Sequence, residues 1–337
     1  MKMNYESRVI EMINSVMPDS PLRISRCFES DSEVIYLGGR KYLFTTDDFS
    51  KEDLFHEKDP YVLGWNIGCA SVSDIIAAGG IPLIYSHSMV ISRNWEDKYI
   101  EAFAKGIAEV LKTYSISFAG GDLGISENWR YTSTVIGKCG DKILNRKGVQ
   151  PGDSIFLTGE IGRGNLNAAL SLFSYDPRIK ELSVSEKNIF RTHEHIARAL
   201  SKYASAAIDT SDGVYSALRI LSELNGKGYI IDSLPFIAGG VRVSKSLNLP
   251  SELLFLGDCG EYEILFTVGD NKKSELIKEI HDLGLTVYEI GKFTGNSDEK
   301  IILMNGKRTN LKDYDLNARD FVDVKEYLGE LIAWVNR

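Results

Sequence analysis

The residues best suited to chemistry in this chain are aspartates at the ends of apolar segments. Asp47 follows Tyr42-Leu43-Phe44-Thr45-Thr46, Asp122 follows Phe118-Ala119-Gly120-Gly121, and Asp209 and Asp212 follow Ala207-Ile208. Asp74 stands inside an otherwise small and apolar stretch from Gly68 to Gly80. A carboxylate there is costly to bury unpaired, or takes a shifted pKa. Hard cations such as Mg²⁺ bind through a few carboxylates, waters and substrate phosphates, so carboxylates gathered from several strand ends can surround a metal-bound nucleotide. Taken singly, each has a plainer reading. Asp47 and Asp122 are typical turn formers, and Asp209 or Ser211 can cap a helix beginning near Gly213.

Three further features bear on phosphate. Gly120 and Gly121 lack a Cβ, which lets backbone approach a ligand before Asp122. Thr158-Gly159-Glu160-Ile161-Gly162-Arg163-Gly164-Asn165 is a glycine-rich turn between a strand and a helix, where backbone N–H groups can hold phosphate. It matches neither Gly-x-Gly-x-x-Gly nor a Walker loop. Arg146 is a candidate phosphate clamp. The histidines offer less: His193 and His195, placed on a helix, project to nearly opposite sides and share no metal. The four cysteines, Cys27, Cys69, Cys139 and Cys259, form no Cys-x-x-Cys pair and read as buried thiols in a reducing compartment, with the cytoplasm as the default.

These residues need elements to carry them. The chain has 337 residues, enough for about two domains. Lys+Arg is 39 and Asp+Glu 47, a net charge of −8, so no overall field attracts a nucleic acid or an anionic membrane. No apolar run approaches a membrane span, and Met1 to Glu6 lacks the core of a signal peptide. The spacing predicts a helix through Val9–Met17, a hairpin of Val34–Leu37 with Tyr42–Phe44 around Gly38-Gly39, and a helix from Asp59-Pro60 to Gly79-Gly80. Then come a strand over Pro82–Ser92, a helix over Tyr99–Leu111, a short strand Ile116–Ala119 ending at Gly120-Gly121-Asp122, and a strand over Tyr131–Cys139. The turn-rich stretch Arg146 to Asp153 marks a boundary between residues 1–145 and 146–337. Beyond it, strands are expected at Ser154–Thr158, Ala206–Ile208, Tyr262–Thr267 and Thr286–Ile290. Strand and helix intermix, so the chain is α/β or α+β.

Taken together, Thr45-Thr46-Asp47, Ser73-Asp74 through Ile81-Pro82, Gly120-Gly121-Asp122, Arg146, Pro151-Gly152-Asp153 and Asp209-Thr210-Ser211-Asp212-Gly213 occur in the order seen in thiamine-monophosphate kinases. The sequence resembles that family, within the aminoimidazole-ribonucleotide-synthetase-like (PurM-like) superfamily of ATP-using enzymes, from about Asp31 to Asp315. The resemblance implies a two-domain α/β fold with an N-terminal sheet that dimerises. It implies ATP and Mg²⁺ in a cleft near the dimer interface, and phosphoryl transfer to thiamine monophosphate. On that basis Asp31, Asp47, Asp74, Asp122 and Asp212 would hold metal. Asp31, Thr46, Gly120, Gly121, Asp122, Arg146, Gly159 and Ser211 would contact nucleotide, and Asp209, Ser211 and Arg146 would serve the transfer.

The departures from the family pattern are equally specific. Its Gly-Asp-Asp is Glu29-Ser30-Asp31 here, its His-Phe is Leu54-Phe55, and its Gly-Gly-Glu-Asp-Tyr-Glu is Asp258-Cys259-Gly260-Glu261-Tyr262-Glu263. They leave open a different acceptor, or a nucleotide-binding protein with weak turnover. The selenophosphate-synthetase and hydrogenase-maturation branches are disfavoured: the first lacks its reactive N-terminal Cys here, the second its C-terminal Cys.

Overall fold

The computed structural model describes residues 5–336 except 19, 27, 52, 54–57, 173–187, 194 and 305; Cys27 and Leu54-Phe55 therefore lie outside the described residues. The N-terminal half is built on a five-stranded sheet. Its strands are β1 (Glu33–Leu37), β2 (Arg40–Ser50), β3 (Ile81–Ser92), β4 (Ser117–Ser126) and β5 (Arg130–Lys138), in the order β1-β2-β5-β3-β4. Only the β3–β4 pair is parallel. The expected hairpin of β1 and β2 is present, and Gly38 (φ +57°) and Gly39 (φ +80°) supply its left-handed turn.

Helix α1 (Tyr5–Val16) precedes the sheet, while α2 (Pro60–Ala77) and α3 (Asp97–Thr113) cover one face of it. Asp59 caps α2 by accepting from the Tyr61 N–H, with Pro60 just inside the helix. The sequence of α2 is apolar on all sides, which is the signature of a helix without a solvent face. Accordingly it touches β2, β3 and β5 on one side and strands of the C-terminal sheet on the other. It crosses α3 at very short range. A Cβ on Gly64 would lie 2.0 Å from the Phe103 carbonyl oxygen, and one on Gly106 would lie 2.1 Å from that of Tyr61.

The C-terminal sheet has seven strands, β6 (Ser154–Leu157), β7 (Ala206–Asp209), β8 (Gly228–Ile231), β9 (Ile264–Val268), β10 (Tyr288–Thr294), β11 (Lys300–Met304) and β12 (Lys307–Asn310), in the order β12-β11-β8-β10-β6-β9-β7. Around it lie α4 (Arg163–Leu172), α5 (Ile196–Tyr203), α6 (Val214–Asn225), α7 (Ala238–Leu247), α8 (Leu253–Leu256), α9 (Asp270–Asp282) and α10 (Val324–Val335). One face of this sheet shares a core with the N-terminal half: Phe156, Ile264, Phe266 and Val268 pack in the same cluster as Ile67, Val72, Ile75 and Ile76 of α2. The other face has its own core beneath α6 and α10. The α/β class and the two-domain PurM-like arrangement are as expected.

Two local expectations differ. Helix α5 starts only at Ile196, so His193 and His195 precede it instead of sharing a helix. Strand β4 runs through Gly120-Gly121-Asp122 to Ser126 instead of ending there. Gly120 takes φ +97°, opposite a register shift between Tyr85 and His87, so the chain bulges and resumes pairing. Gly121 has its own cause, since a Cβ there would lie 1.9 Å from the His87 ring.

The α2–α3 crossing yields a direct test. Gly106→Ala should lower the urea midpoint, with a loss on the order of 1–3 kcal/mol typical of an overpacked contact, because the added methyl meets backbone and not a movable side chain. An unchanged midpoint would mean that the two helices are free to separate.

Candidate active site

Four aspartates meet where the halves join. Asp31 comes from the segment before β1, Asp47 from β2, Asp74 from the last turn of α2, and Asp209 from the end of β7. One carboxylate oxygen from each of Asp31, Asp74 and Asp209 lies within 4.8 Å of the others. Each is aimed by a group from a different segment. Thr45 donates to Asp74 Oδ2 at 2.5 Å, and Ser73 donates to Asp209 Oδ2 at 2.6 Å. Ser211 donates to Asp209 Oδ1 at 2.8 Å, and the Asp209 N–H donates to Asp31 Oδ2 at 3.1 Å. Arg146, in the crossover between the halves, donates from Nε to Asp31 Oδ1 at 2.7 Å. Asp47 is the exception: its Oδ2 is buried with no hydrogen-bond partner among the described residues.

Burial and mutual repulsion set the acidities. Burial, together with the charges of Asp209 and Asp31, pushes Asp47 up to about 7. Burial and the charges of Asp47, Asp209 and Asp31 push Asp74 well above the usual carboxylate range. Asp209 rises to about 6 through burial and the Asp31 charge, against the donation from Ser73 and Ser211. Asp31 is raised by burial although Arg146 opposes it. Four carboxyl groups gathered beside one guanidinium resist ionising together, and a bound cation would relieve that. Such a site suits a hard cation, and Asp47 Oδ2 is a ligand atom without another partner.

The remaining expected residues fall elsewhere. Thr46 faces away from the cluster and its hydroxyl pairs with Thr134 at 3.3 Å; Thr45, one residue earlier, is the one turned inward. Asp122 lies in the register row of Ser88, Thr132 and Asp48, one row from Asp47 and hence on the opposite face of the sheet. It does not join the cluster. Asp212 is also separate and pairs with Arg319 at 2.9 Å. Ser30 donates to the Leu144 carbonyl at 3.2 Å.

The glycine-rich turn is already occupied. The N–H groups of Gly162, Arg163 and Gly164 donate to the Glu261 carboxylate at 3.0, 3.0 and 3.2 Å, so a buried acid takes the place at the start of α4 that the sequence offered to phosphate. Gly159 abuts Glu263, whose carboxylate a Cβ there would meet at 2.5 Å. Gly260 is fixed by sterics, because its Cβ would lie 2.6 Å from the Ser211 carbonyl oxygen. Glu263 in turn accepts from Thr158 at 2.6 Å and lies 3.2 Å from His193 Nε2. Residue type alone did not mark Thr45, Ser73, Glu261 and Glu263 as positioning groups, though all four stand inside or beside the quoted motifs.

Two family models match this chain: the N-terminal domain of AIR synthase related protein over residues 29–139 and the C-terminal domain over residues 150–304. The thiamine-monophosphate kinase of Bacillus subtilis is 30% identical over 260 residues, covering 74% of this chain and 78% of that protein. The chain belongs to the thiamine-monophosphate kinase family. The enzyme of the same name from Methanocaldococcus jannaschii is 27% identical over 306 residues, covering 85% of this chain and 92% of that one. Among solved structures, AaThiL complexed with AMPPCP and TMP superposes with a TM-score of 0.72 at 24% identity, covering 91% of this chain and 97% of that one, a likeness of fold. The protein is therefore an ATP-dependent kinase, and the carboxylate cluster lies between the two matched domains.

The raised acidity of Asp47 predicts a pH-dependent stability. Its folded pKa lies above the unfolded value near 3.8, so the folded state holds this proton more tightly. Stability is then lost as pH rises through the window from about 4 to 7. In chelator, Asp47→Asn should raise Tm at pH 8, by about 1–2 °C per kcal/mol of repulsion relieved in a chain of this length, and leave it unchanged at pH 4. Equal shifts at both pH values would show that charge is not the cause.

Proposed function

We propose that this kinase transfers the terminal phosphoryl group of ATP to thiamine monophosphate, giving thiamine diphosphate and ADP, with Mg²⁺ held by Asp31, Asp47, Asp74 and Asp209. The observation that carries this reading is the convergence of Asp31, Asp74 and Asp209 at the domain junction, with the orphaned Asp47 Oδ2 near enough to feel their charges. Bound Mg²⁺ supplies neutralisation of triphosphate charge. The chain's own task is positioning: phosphoryl transfer needs alignment and electrostatic stabilisation more than covalent help from protein. Thr45 and Ser73 hold Asp74 and Asp209, Ser211 keeps the second oxygen of Asp209 directed, and Asp31 locks Arg146 in place. Arg146 thus offers a fixed positive charge at the edge of the cluster for a phosphoryl oxygen. Ordered groups of this kind need little rearrangement when charge develops.

The same reading includes a homodimer, which gives Asp122 a place. Strand β4 is the free edge of its sheet, and Phe118, Leu123 and Ile125 on it are 56, 63 and 58% exposed. An open, apolar edge is a template for pairing with a second chain. Gly120, Gly121 and Asp122 then lie on a pairing surface, where nucleotide bound near the interface would reach them. A cytoplasmic enzyme fits this substrate pair and the free thiols of Cys69, Cys139 and Cys259.

Asp209→Asn should lower kcat for Mg²⁺-dependent formation of thiamine diphosphate by about 100-fold or more, the scale of losing one group that stabilises the transition state. The fold should persist by circular dichroism. Activity within a few fold of wild type would remove Asp209 from the site. For the dimer, Leu123→Lys should convert the protein to a monomer in light scattering, and an unchanged mass would place the interface elsewhere.

A further inference from the structure

Among the described residues, four other than glycine take a left-handed backbone: Phe28 (φ +63°), Ser115 (φ +56°), Asn248 (φ +56°) and Tyr262 (φ +53°). Ser115 and Asn248 follow the ends of α3 and α7, where helices commonly close this way. Phe28 and Tyr262 are different. Both are bulky, which makes the conformation costly, and neither ends a helix. Phe28 lies shortly before Asp31 in the chain, and Tyr262 sits in the loop that packs on the residues following Asp209.

The contacts around Tyr262 enforce its conformation. Both neighbours are tied to Thr210: the Glu261 N–H donates to the Thr210 carbonyl at 3.0 Å, and the Glu263 N–H donates to the Thr210 hydroxyl at 3.0 Å. Their carboxylates are fixed as well, that of Glu261 by the turn at the start of α4 and that of Glu263 by Thr158 and His193. Residue 262 must therefore make its turn between two clamped positions. Its ring lies against Phe190, with centroids 4.9 Å apart, and beside Gly260, where a Cβ would meet its Cε2 at 2.8 Å. A side chain at 260, such as the glutamate of the family pattern, would displace the ring.

Strain of this kind persists where the surroundings over-determine it, and it gathers at sites of binding and catalysis. Burial, and then the charges of Asp209, Asp47, Asp53 and Asp212, push the Tyr262 hydroxyl well above the usual phenol range. The hydroxyl is thus a neutral donor within electrostatic reach of the cluster. A neutral donor adds nothing to the repulsion among the carboxylates, and it can give its proton's hydrogen bond to a phosphoryl oxygen when a phosphorylated substrate enters. We propose that Tyr262 is a substrate-binding residue of the transfer site, its hydroxyl donating to a phosphoryl oxygen of the bound substrate. The inference rests on the reaction proposed above. That oxygen belongs either to the nucleotide or to the acceptor; the chemistry is the same, and the ligand that loses affinity identifies which.

The test compares wild type with Tyr262→Phe, which keeps the ring, its contact with Phe190 and the backbone angle, and removes only the hydroxyl. Affinities of the full-length protein for AMPPCP, thiamine monophosphate and inorganic phosphate are measured by calorimetry in Mg²⁺, with thiamine as the phosphate-free control. At least one phosphate-bearing ligand should bind the variant about tenfold more weakly, the scale of one hydrogen bond to a charged group. Thiamine binding and the urea midpoint should not change. Unchanged affinity for all three phosphate-bearing ligands overturns the proposal. So does a urea midpoint that falls along with the affinity, or an equal loss for thiamine, because either result gives the hydroxyl a structural role alone. Binding needs no turnover: a wild-type protein that forms no thiamine diphosphate rejects the reaction, while the calorimetric comparison still decides the role of Tyr262.

Discussion

The constraint on which the rest of the molecule depends is the repulsion among Asp31, Asp47, Asp74 and Asp209. Unit charges about 4–5 Å apart repel by roughly 3–4 kcal/mol at an effective dielectric of about 20, and among the described residues Arg146 is the cation paired into the cluster. No flexible arrangement would keep these groups together, because each could escape to water. They stay because each is anchored in a different element: the interior of β2, a buried helix, the end of β7 and the segment leading into β1. Much of the architecture can be read as the means of holding that convergence.

Helix α2 is the central anchor. An amphipathic helix would cover one sheet and expose its other side, leaving Asp74 in water. The glycines that allow close approach to α3 and the apolar residues on every side place α2 between the two sheets instead. Its last turn therefore opens at the junction with β7. The Ser73–Asp209 hydrogen bond ties that helix to the C-terminal sheet, and the Asp31–Arg146 pair ties the segment before β1 to the crossover. Both contacts span the two halves, so the chemistry of the site and the relative placement of the halves are one problem.

The sequence made much of this legible, for identifiable reasons. Asp74 stood out because a charge in a small, apolar helix has no surface explanation, and Asp209 because it ends a strand; Asp47, read as following a strand, lies inside β2, which runs on to Ser50. Thr46 and Asp122 show where such reasoning stops. Side chains alternate between the two faces of a sheet, so a shift of one residue decides whether a group faces the cluster or the opposite side. The sequence does not state which of Thr45 and Thr46 turns inward; the packing of Leu43 and Phe49 against the core settles it. The strands β8, β11 and β12 were absent from the expected pattern: each is short, and β8 finds its partners β10 and β11 far along the chain, whereas β11 and β12 form a local hairpin.

The glycine-rich turn after β6 carries the same lesson in reverse. Free N–H groups at the start of a helix attract an anion, but the anion can belong to the protein. Here Glu261 fills that role, and its burial pushes it up to about 8 against three backbone donors. The turn, Gly164 against the Gly260 carbonyl and Glu261 against the turn form one packed unit. A carboxylate that caps a helix from a distant loop fixes that loop, and this loop bears Asp258 on one side and packs against Ser211 and Gly213 on the other. The departures from the family pattern at positions 258–260 thus sit in a segment that Glu261 fixes and that packs against Ser211 and Gly213.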